Sequence, residues 1–194
     1  MKTEQKIGLF GGSFDPVHLG HLLVAQAACE ETGLDRLFFI PAAQSPFKPD
    51  TTPAPAAERL RLLRLALTGR SHYEIDEQEL KRGGISYTID TVRDYAGRFP
   101  GAGLFYLIGA DHVQSLPKWR ESDELAGLVE FLAIPRPGER HAVFDPPFRG
   151  RTLKGWPLDV SASQIRARVK AGQQIDHLTP PAVAEAIHNY HLYL

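Results

Sequence analysis

The sequence is poor in cysteine: Cys29 is the single one in 194 residues. One thiol excludes an intramolecular disulfide framework and any zinc site built on cysteines. No apolar run reaches the ~18 residues that would span a bilayer. Met1 to Lys6 is polar, where a secretory leader would turn hydrophobic. Neither charge is in excess, since 22 Lys plus Arg stand against 23 Asp plus Glu, a formal net charge of −1. That balance argues against a bulk electrostatic grip on nucleic acid or an acidic membrane, and permits a local basic pocket. Internal repeats and low-complexity tails are missing as well. These absences together predict a cytoplasmic protein that binds neither nucleic acid nor membrane, with homo-oligomerisation left open.

What is present is an ordinary globular composition, 43% hydrophobic, 9% aromatic and 23% charged. A chain of this length buries roughly 70% of the surface its unfolded form exposes, and it fits one domain over residues 1–194. Hydrophobic runs alternate with helical patterns from end to end. Lys6–Phe10 reads as a buried strand that breaks on Gly11-Gly12, and His21–Thr32 as a helix with Gly33 as its stop. Arg36–Ile40 reads as a second strand, followed by a long loop over Pro41–Pro55 with five prolines. Ala56–Leu67 and Tyr87–Phe99 are helical patterns; Tyr73–Ile75, Gly103–Ile108 and Val129–Ile134 are strand patterns. Glu121–Leu128 is a short helix, and Pro135–Gly150 a second irregular stretch.

Leu158–Val160 is the last strand candidate, followed by a helix from about Ser163 to Lys170. A final helix takes Thr179 as its N-cap and Pro180 as its first residue. This alternation predicts an α/β fold: a Rossmann-like, doubly wound parallel sheet of five or six strands, helices on both faces, and Lys6–Phe10 at its centre. In such sheets ligands sit beyond the C-terminal strand ends, where the strand order reverses. The loops just after the strands therefore carry the functional information.

The first such loop runs from Gly11 and Gly12 through Ser13, Phe14, Asp15, Pro16 and Val17 to His18, Leu19, Gly20 and His21. Two glycines after a strand let backbone approach a phosphate, and the helix start that follows points free N–H groups at an anion. His18 and His21 stand three apart at the helix entry, with Gly20 leaving room between them. Two imidazoles there can donate hydrogen bonds to charge developing on a phosphoryl group. The Gly-Lys-Ser/Thr ending of a P-loop is missing, and so is a G-x-G-x-x-G pattern. Asp15, before Pro16, reads as a turn-shaping residue.

Further along, Ser161 and Ser163 suit the start of a helix, where dipole and free N–H groups favour phosphate. Arg166, one turn inside, can swing back as a bidentate phosphate ligand; the alternative is plain capping beside a solvated arginine. Lys48, in the Pro-rich loop, is either a mobile phosphate-binding charge or an exposed surface lysine. His188 and His191 stand at helical spacing near the end of the sequence and read as structural or exposed. So do His72, His112 and His141, while Cys29 reads as a small core residue.

Gly11–His21 resembles the His-x-Gly-His signature of the nucleotidyltransferase superfamily. Its fuller Gly-Gly-Ser-Phe-Asp-Pro-Val-His form is similar to the bacterial nicotinate-mononucleotide adenylyltransferase family. Four more segments match that family in order: Ile85–Thr88, Leu107–Asp111, Leu116–Trp119 and Val160–Arg166. The last resembles Ile-Ser-Ser-Thr-x-x-Arg and departs from it at Val160, Ala162 and Ser163, Ala162 removing a hydroxyl. The resemblance covers nearly the whole chain.

It implies transfer of the adenylyl group of ATP to nicotinate mononucleotide, giving deamido-NAD and pyrophosphate. His18, His21 and Arg166 are then catalytic. Gly11, Gly12, Ser13, Lys48, Ser161 and Ser163 contact phosphates, while Gly109, Asp111 and Arg136 lie around the adenosine. Thr88 and Trp119 hold the nicotinate ring. Mg²⁺ is expected, held mainly by ATP phosphates and water, because no carboxylate cage is visible in the sequence. The alternatives are another adenylyltransferase of the superfamily, such as pantetheine-phosphate adenylyltransferase, and a non-catalytic nucleotide-binding regulator.

Overall fold

The computed structural model describes residues 4–47, 52–135, 138 and 142–194. Lys48, Arg136 and His141 lie outside the described residues. Six parallel strands form one sheet: β1 (Lys6–Gly12), β2 (Arg36–Pro41), β3 (Tyr73–Ile75), β4 (Gly103–Gly109), β5 (Glu130–Ile134) and β6 (Gly150–Thr152). Their spatial order is β3-β2-β1-β4-β5-β6. The order reverses between β1 and β4, so a crevice opens beyond the C-terminal ends of those two strands.

Alternation along the strands divides the core in two. Phe10, Leu37, Phe39, Phe105, Leu107 and Leu132 face one side. There they meet α1 (Leu19–Thr32), α2 (Ala56–Leu67), α6 (Ala162–Lys170) and α7 (Pro181–Asn189). Ile7, Leu9, Phe38, Ile40, Tyr106 and Phe131 face the other. Those pack on α4 (Thr88–Arg98), α5 (Ser122–Leu128) and a 3-10 helix over Ala110–Lys118. Residues two apart share a face of a pleated strand, and burial on both faces explains why these strands read as continuous apolar runs. α1 ends as expected at Gly33, in the left-handed conformation at φ 68°.

Several boundaries differ from the sequence reading. β1 runs through Gly11 and Gly12 instead of stopping before them. Leu158–Val160 is not a strand; the last strand is β6, which pairs Gly150 with Phe131 on the sheet edge. A Cβ at Gly150 would lie 2.7 Å from the Phe131 carbonyl oxygen, so this edge admits glycine, a residue that usually argues against a strand. Thr179 does not cap the last helix, which begins at Pro181 with Pro180 in the capping position. Pro181 removes the N–H two residues on that a Thr179 cap would otherwise accept from. The Thr179 hydroxyl is accordingly buried without a partner. α3 (Gln78–Arg82) and the 3-10 helix are additions, too short or too irregular to show a period.

Candidate active site

The loop after β1 turns into α1 through His18, its N-cap residue. The His18 backbone N–H donates to His21 Nδ1 at 3.1 Å. An accepting Nδ1 carries no proton, so the neutral His21 ring keeps its hydrogen on Nε2. The two imidazoles stack with centroids 3.7 Å apart, and Phe14 packs edge-on against His21 at 5.0 Å. Burial pushes His18 down to about 4. Burial, and then the neighbouring His18, holds His21 well below the usual histidine range. Both rings are therefore neutral donors at pH 7. A Cβ at Gly20 would lie 3.0 Å from the His18 ring, so the glycine between the histidines makes room for their stacking.

α6 brings the second polar group to this loop. Ser161 caps the helix in a reciprocal box with Gln164: the Gln164 N–H donates to Ser161 Oγ at 3.2 Å, and the Ser161 N–H to Gln164 Oε1 at 2.7 Å. Arg166 Nη1 donates to the Asp15 carbonyl oxygen at 2.7 Å, across 151 residues of sequence. Ser13, His18, His21, Ser161, Ser163 and Arg166 thus line one cavity of about 830 Å³.

Arg59, read as part of an amphipathic helix, is buried behind that wall. It donates to the carbonyl oxygens of Ser13 at 2.8 Å, Ala42 at 2.9 Å and Ala54 at 3.0 Å. It splints the two loops together, and no local sequence signal marks it.

A second cavity of about 420 Å³ opens beyond β4. Gly11, Gly12, Gly109, Asp111, Thr88 and Trp119 line it. A Cβ at Gly11 would lie 2.5 Å from the Tyr106 hydroxyl, so this glycine is required by close approach. Thr88, the first residue of α4, donates to that same hydroxyl at 3.4 Å. The indole N–H of Trp119 donates to Ser115 Oγ at 3.2 Å. Phe47 and His112 face Trp119, with ring centroids 5.4 and 6.3 Å away. His112, expected to be unremarkable, and Phe47 therefore join the aromatic wall of this cavity.

Glu79 also lines this cavity and is buried, its carboxyl accepting from Thr91 Oγ1 at 2.6 Å. Burial raises its pKa despite the Thr91 and Ser86 hydroxyls.

A third, mainly apolar cavity of about 220 Å³ lies against α1. Val24, Ala27, Trp156 and Leu158 line it, together with Gly20 and Gly109. Gly109 and Phe10 border both the second and third cavities, and His18 and His21 border both the first and third. Asp111, expected around the adenosine, lines the second cavity, beside Thr88 and Trp119. The apolar patch contributed by Trp156 and Leu158 was not anticipated; its residues follow Pro-rich chain with no periodic pattern. His188 and His191 lie in a separate groove behind α7. Among the described residues, no group of three or more His, Cys, Asp or Glu could hold a metal ion, and no helix is long and apolar enough to cross a membrane.

Comparison with known proteins agrees with this geometry. Residues 9–168 match the cytidylyltransferase-like family. A protein of Opitutus terrae named "Probable nicotinate-nucleotide adenylyltransferase" is 41% identical over 190 residues, 97% of each chain. One of Exiguobacterium sibiricum with the same name is 42% identical over 97% of this chain and 98% of its own. Among solved structures, Plasmodium falciparum nicotinic acid mononucleotide adenylyltransferase complexed with NaAD has the same fold. It superposes with a TM-score of 0.76 over 98% of both chains at 18% identity. The chain belongs to the cytidylyltransferase-like family, and within it to the nicotinate-nucleotide adenylyltransferases.

Proposed function

We infer that the protein transfers the adenylyl group of ATP to nicotinate mononucleotide, forming deamido-NAD and pyrophosphate, a step of NAD biosynthesis. One observation carries the reading: an apolar cavity adjoins a polar one at His18 and His21 and an aromatic one at Phe10 and Gly109. The apolar cavity suits a purine, the polar one a triphosphate, and the aromatic one a pyridine ring. The reacting phosphorus would lie where they meet. The whole chain acts as one transferase domain, in the cytoplasm.

An oxygen of the mononucleotide phosphate attacks the α-phosphorus of ATP in line. The new P–O bond forms as the bond to the β-phosphate breaks, and pyrophosphate leaves. The nucleophile is already an anion near neutral pH, so no general base is required; the work is positioning and charge stabilisation. His21, neutral and protonated on Nε2, and His18 donate to oxygens of the reacting phosphoryl group. Gly11, Gly12 and Ser13 line the approach of the phosphates, while Ser161, Ser163 and Arg166 hold the β and γ groups. Lys48 and Arg136 are proposed to add positive charge from their loops. Gly109 lets substrate approach the end of β4, and Asp111 holds ribose hydroxyls. Trp119 stacks on the nicotinate ring and Thr88 donates to its carboxylate.

Mg²⁺ fits this donor set only as an ion held chiefly by the nucleotide. Asp15, the carboxylate in the phosphate-side wall, already has both oxygens engaged, by Tyr193 and by the Ala54 N–H. When bound, the ion would neutralise charge on the triphosphate. The test is pyrophosphate release from ATP and Mg²⁺ with nicotinate mononucleotide, nicotinamide mononucleotide or phosphopantetheine offered separately. Release should be fastest with the first; preferential release with phosphopantetheine would overturn the reading.

A further inference from the structure

Asp15 places a buried carboxylate, 7% exposed, in the wall where a triphosphate is to bind. Such a group would repel the ligand, and it would also attract the arginine intended for it. The Arg166 guanidinium, anchored on the Asp15 carbonyl oxygen at 2.7 Å, stops 3.9 Å from Asp15 Oδ2. Arg59 gives its Nε and Nη1 hydrogens to three carbonyl oxygens rather than to the carboxylate, and acts on Asp15 through its charge.

The two carboxylate oxygens are engaged by other elements. The Ala54 N–H donates to Oδ2 at 3.3 Å, and the Tyr193 hydroxyl to Oδ1 at 2.9 Å. Tyr193 lies beyond α7, 178 residues from its acceptor. It adopts the left-handed backbone region at φ 67°, two residues after His191 at φ 50°. For residues with a Cβ this region is unfavourable and persists only where the surroundings fix it. They do so here: the Leu192 N–H donates to the Ile187 carbonyl at 3.0 Å, and Leu192 and Tyr193 both pack on the core under α7. Burial and the Asp15 charge push the phenol pKa up, so the hydroxyl keeps its proton and remains a donor.

We propose that Tyr193 is a positioning residue for ATP: by donating to Asp15 Oδ1 it limits the pull of this carboxylate on Arg166, so that the guanidinium, held at 3.9 Å from Oδ2, can turn to the triphosphate. The assignment rests on the reading of Arg166 as an ATP ligand, and it adds a residue outside every motif that supports that reading. Tyr193→Phe keeps the ring packing and removes one donor. Asp15 Oδ1 then loses its donor, and the less satisfied carboxylate draws Arg166, already 3.9 Å from Oδ2, closer.

The experiment compares wild type, Tyr193→Phe, Asp15→Asn and the double variant by steady-state kinetics. Calorimetric binding of a non-hydrolysable ATP analogue, without the second substrate, accompanies it. Tyr193→Phe should raise the KM for ATP and the analogue Kd about tenfold, the usual scale for a lost hydrogen bond to a charged group. Its kcat and its KM for nicotinate mononucleotide should stay within about twofold. In the Asp15→Asn background the capturing charge is gone, so adding Tyr193→Phe should change ATP affinity by less than about twofold.

An unchanged analogue Kd in Tyr193→Phe overturns the proposal. So does a parallel loss of kcat and of both KM values, which would mark general loosening. A tenfold loss persisting in the Asp15→Asn background overturns it too. If Tyr193→Phe fails to fold, Asp15→Asn alone decides: it should tighten analogue binding about threefold, and weakened binding refutes the proposal. Failure of the activity itself is distinguishable. A wild-type protein that binds the analogue but releases no pyrophosphate with nicotinate mononucleotide contradicts the proposed reaction and leaves the Tyr193 test standing.

Discussion

The two sides of the crevice are held by different kinds of contact. On the phosphate side, key groups are fixed by neighbours three residues away. His21 Nδ1 accepts from the His18 backbone, Ser161 and Gln164 satisfy each other, and Arg166 reaches Ser163 Oγ at 3.4 Å while taking one distant anchor, the Asp15 carbonyl oxygen. On the ring side, Phe47, Thr88 and Tyr106 come from separate segments and meet the His112–Trp119 stretch, itself tied through Ser115, only through the folded sheet. Charge is met by helix ends, whose geometry is local. A flat ring is met by aromatic surfaces, which need tertiary packing to face one another. Loss of one group should therefore act on chemistry on the first side and on affinity on the second.

The largest break of this contrast is His21→Ala. Removing one donor aimed at developing charge costs roughly two to three orders of magnitude in kcat. KM for either substrate should move far less, because the contact strengthens in the transition state. Initial rates of pyrophosphate release measure this, and wild-type turnover in His21→Ala would contradict the role.

The same pair carries a stability cost that pH exposes. The folded state lowers His18 from 6.5 to about 4, so between those values the unfolded chain binds the proton more readily. Acid therefore favours unfolding: this share of stability is present above pH ~6.5 and is lost as pH falls through the folded value, about 3 kcal/mol in all. His21, also lowered, adds in the same direction. Urea unfolding of His18→Asn should show a shallower decline between pH 7 and 4.5 than wild type. An equal decline would place the cause elsewhere.

This division also explains what was legible in the sequence. The central strands, α1, α2, α4 and the Ser161–Arg166 helix start show in short-range patterns, and their positions were readable to within a residue or two. β6 was missed because three residues containing a glycine carry no period, and its place is set by Phe131 on the neighbouring strand. Arg59, Glu79 and Tyr193 were invisible for the same reason. No pattern or motif in the sequence singles them out, and only packing turns them inward. On the ring side, Thr88 and Trp119 were identified through family resemblance, whereas their companions Phe47 and His112 came from the structure alone.

Arg166 lies between the two regimes: it reaches Ser163 Oγ within its own helix and is anchored on the Asp15 carbonyl oxygen, 151 residues away. Arg166→Ala should raise the KM for ATP by roughly ten- to a hundredfold, the range for a charge-assisted bidentate pair. kcat should fall less than in His21→Ala. Arg166→Lys should recover only part of the loss, because an ammonium keeps the charge and loses the planar fork. Full recovery by lysine would show that charge alone matters there.

The smallest effect expected is on substrate choice, and it tests the ring side alone. Nicotinate and nicotinamide mononucleotides differ in one group, a carboxylate against an amide, so the difference must be read where that group lies. Thr88 is the first residue of α4, where its hydroxyl and the free backbone N–H groups at the helix start offer donors and the dipole favours negative charge. An amide turned into that place sets its own NH₂ against donors and leaves a buried group unpaired. That costs about 1–3 kcal/mol, or roughly ten- to a hundredfold in kcat/KM. Thr88→Ala removes one donor and keeps the helix start, so the preference for the acid should narrow by about tenfold without reversing. Trp119→Ala should weaken both mononucleotides alike, because stacking does not distinguish the two. Side-by-side kinetics on both substrates with both variants separate the contributions. A Trp119→Ala enzyme that alters the acid-to-amide ratio, with Thr88→Ala leaving it untouched, would move carboxylate recognition away from α4 and towards the Trp119 side of the cavity.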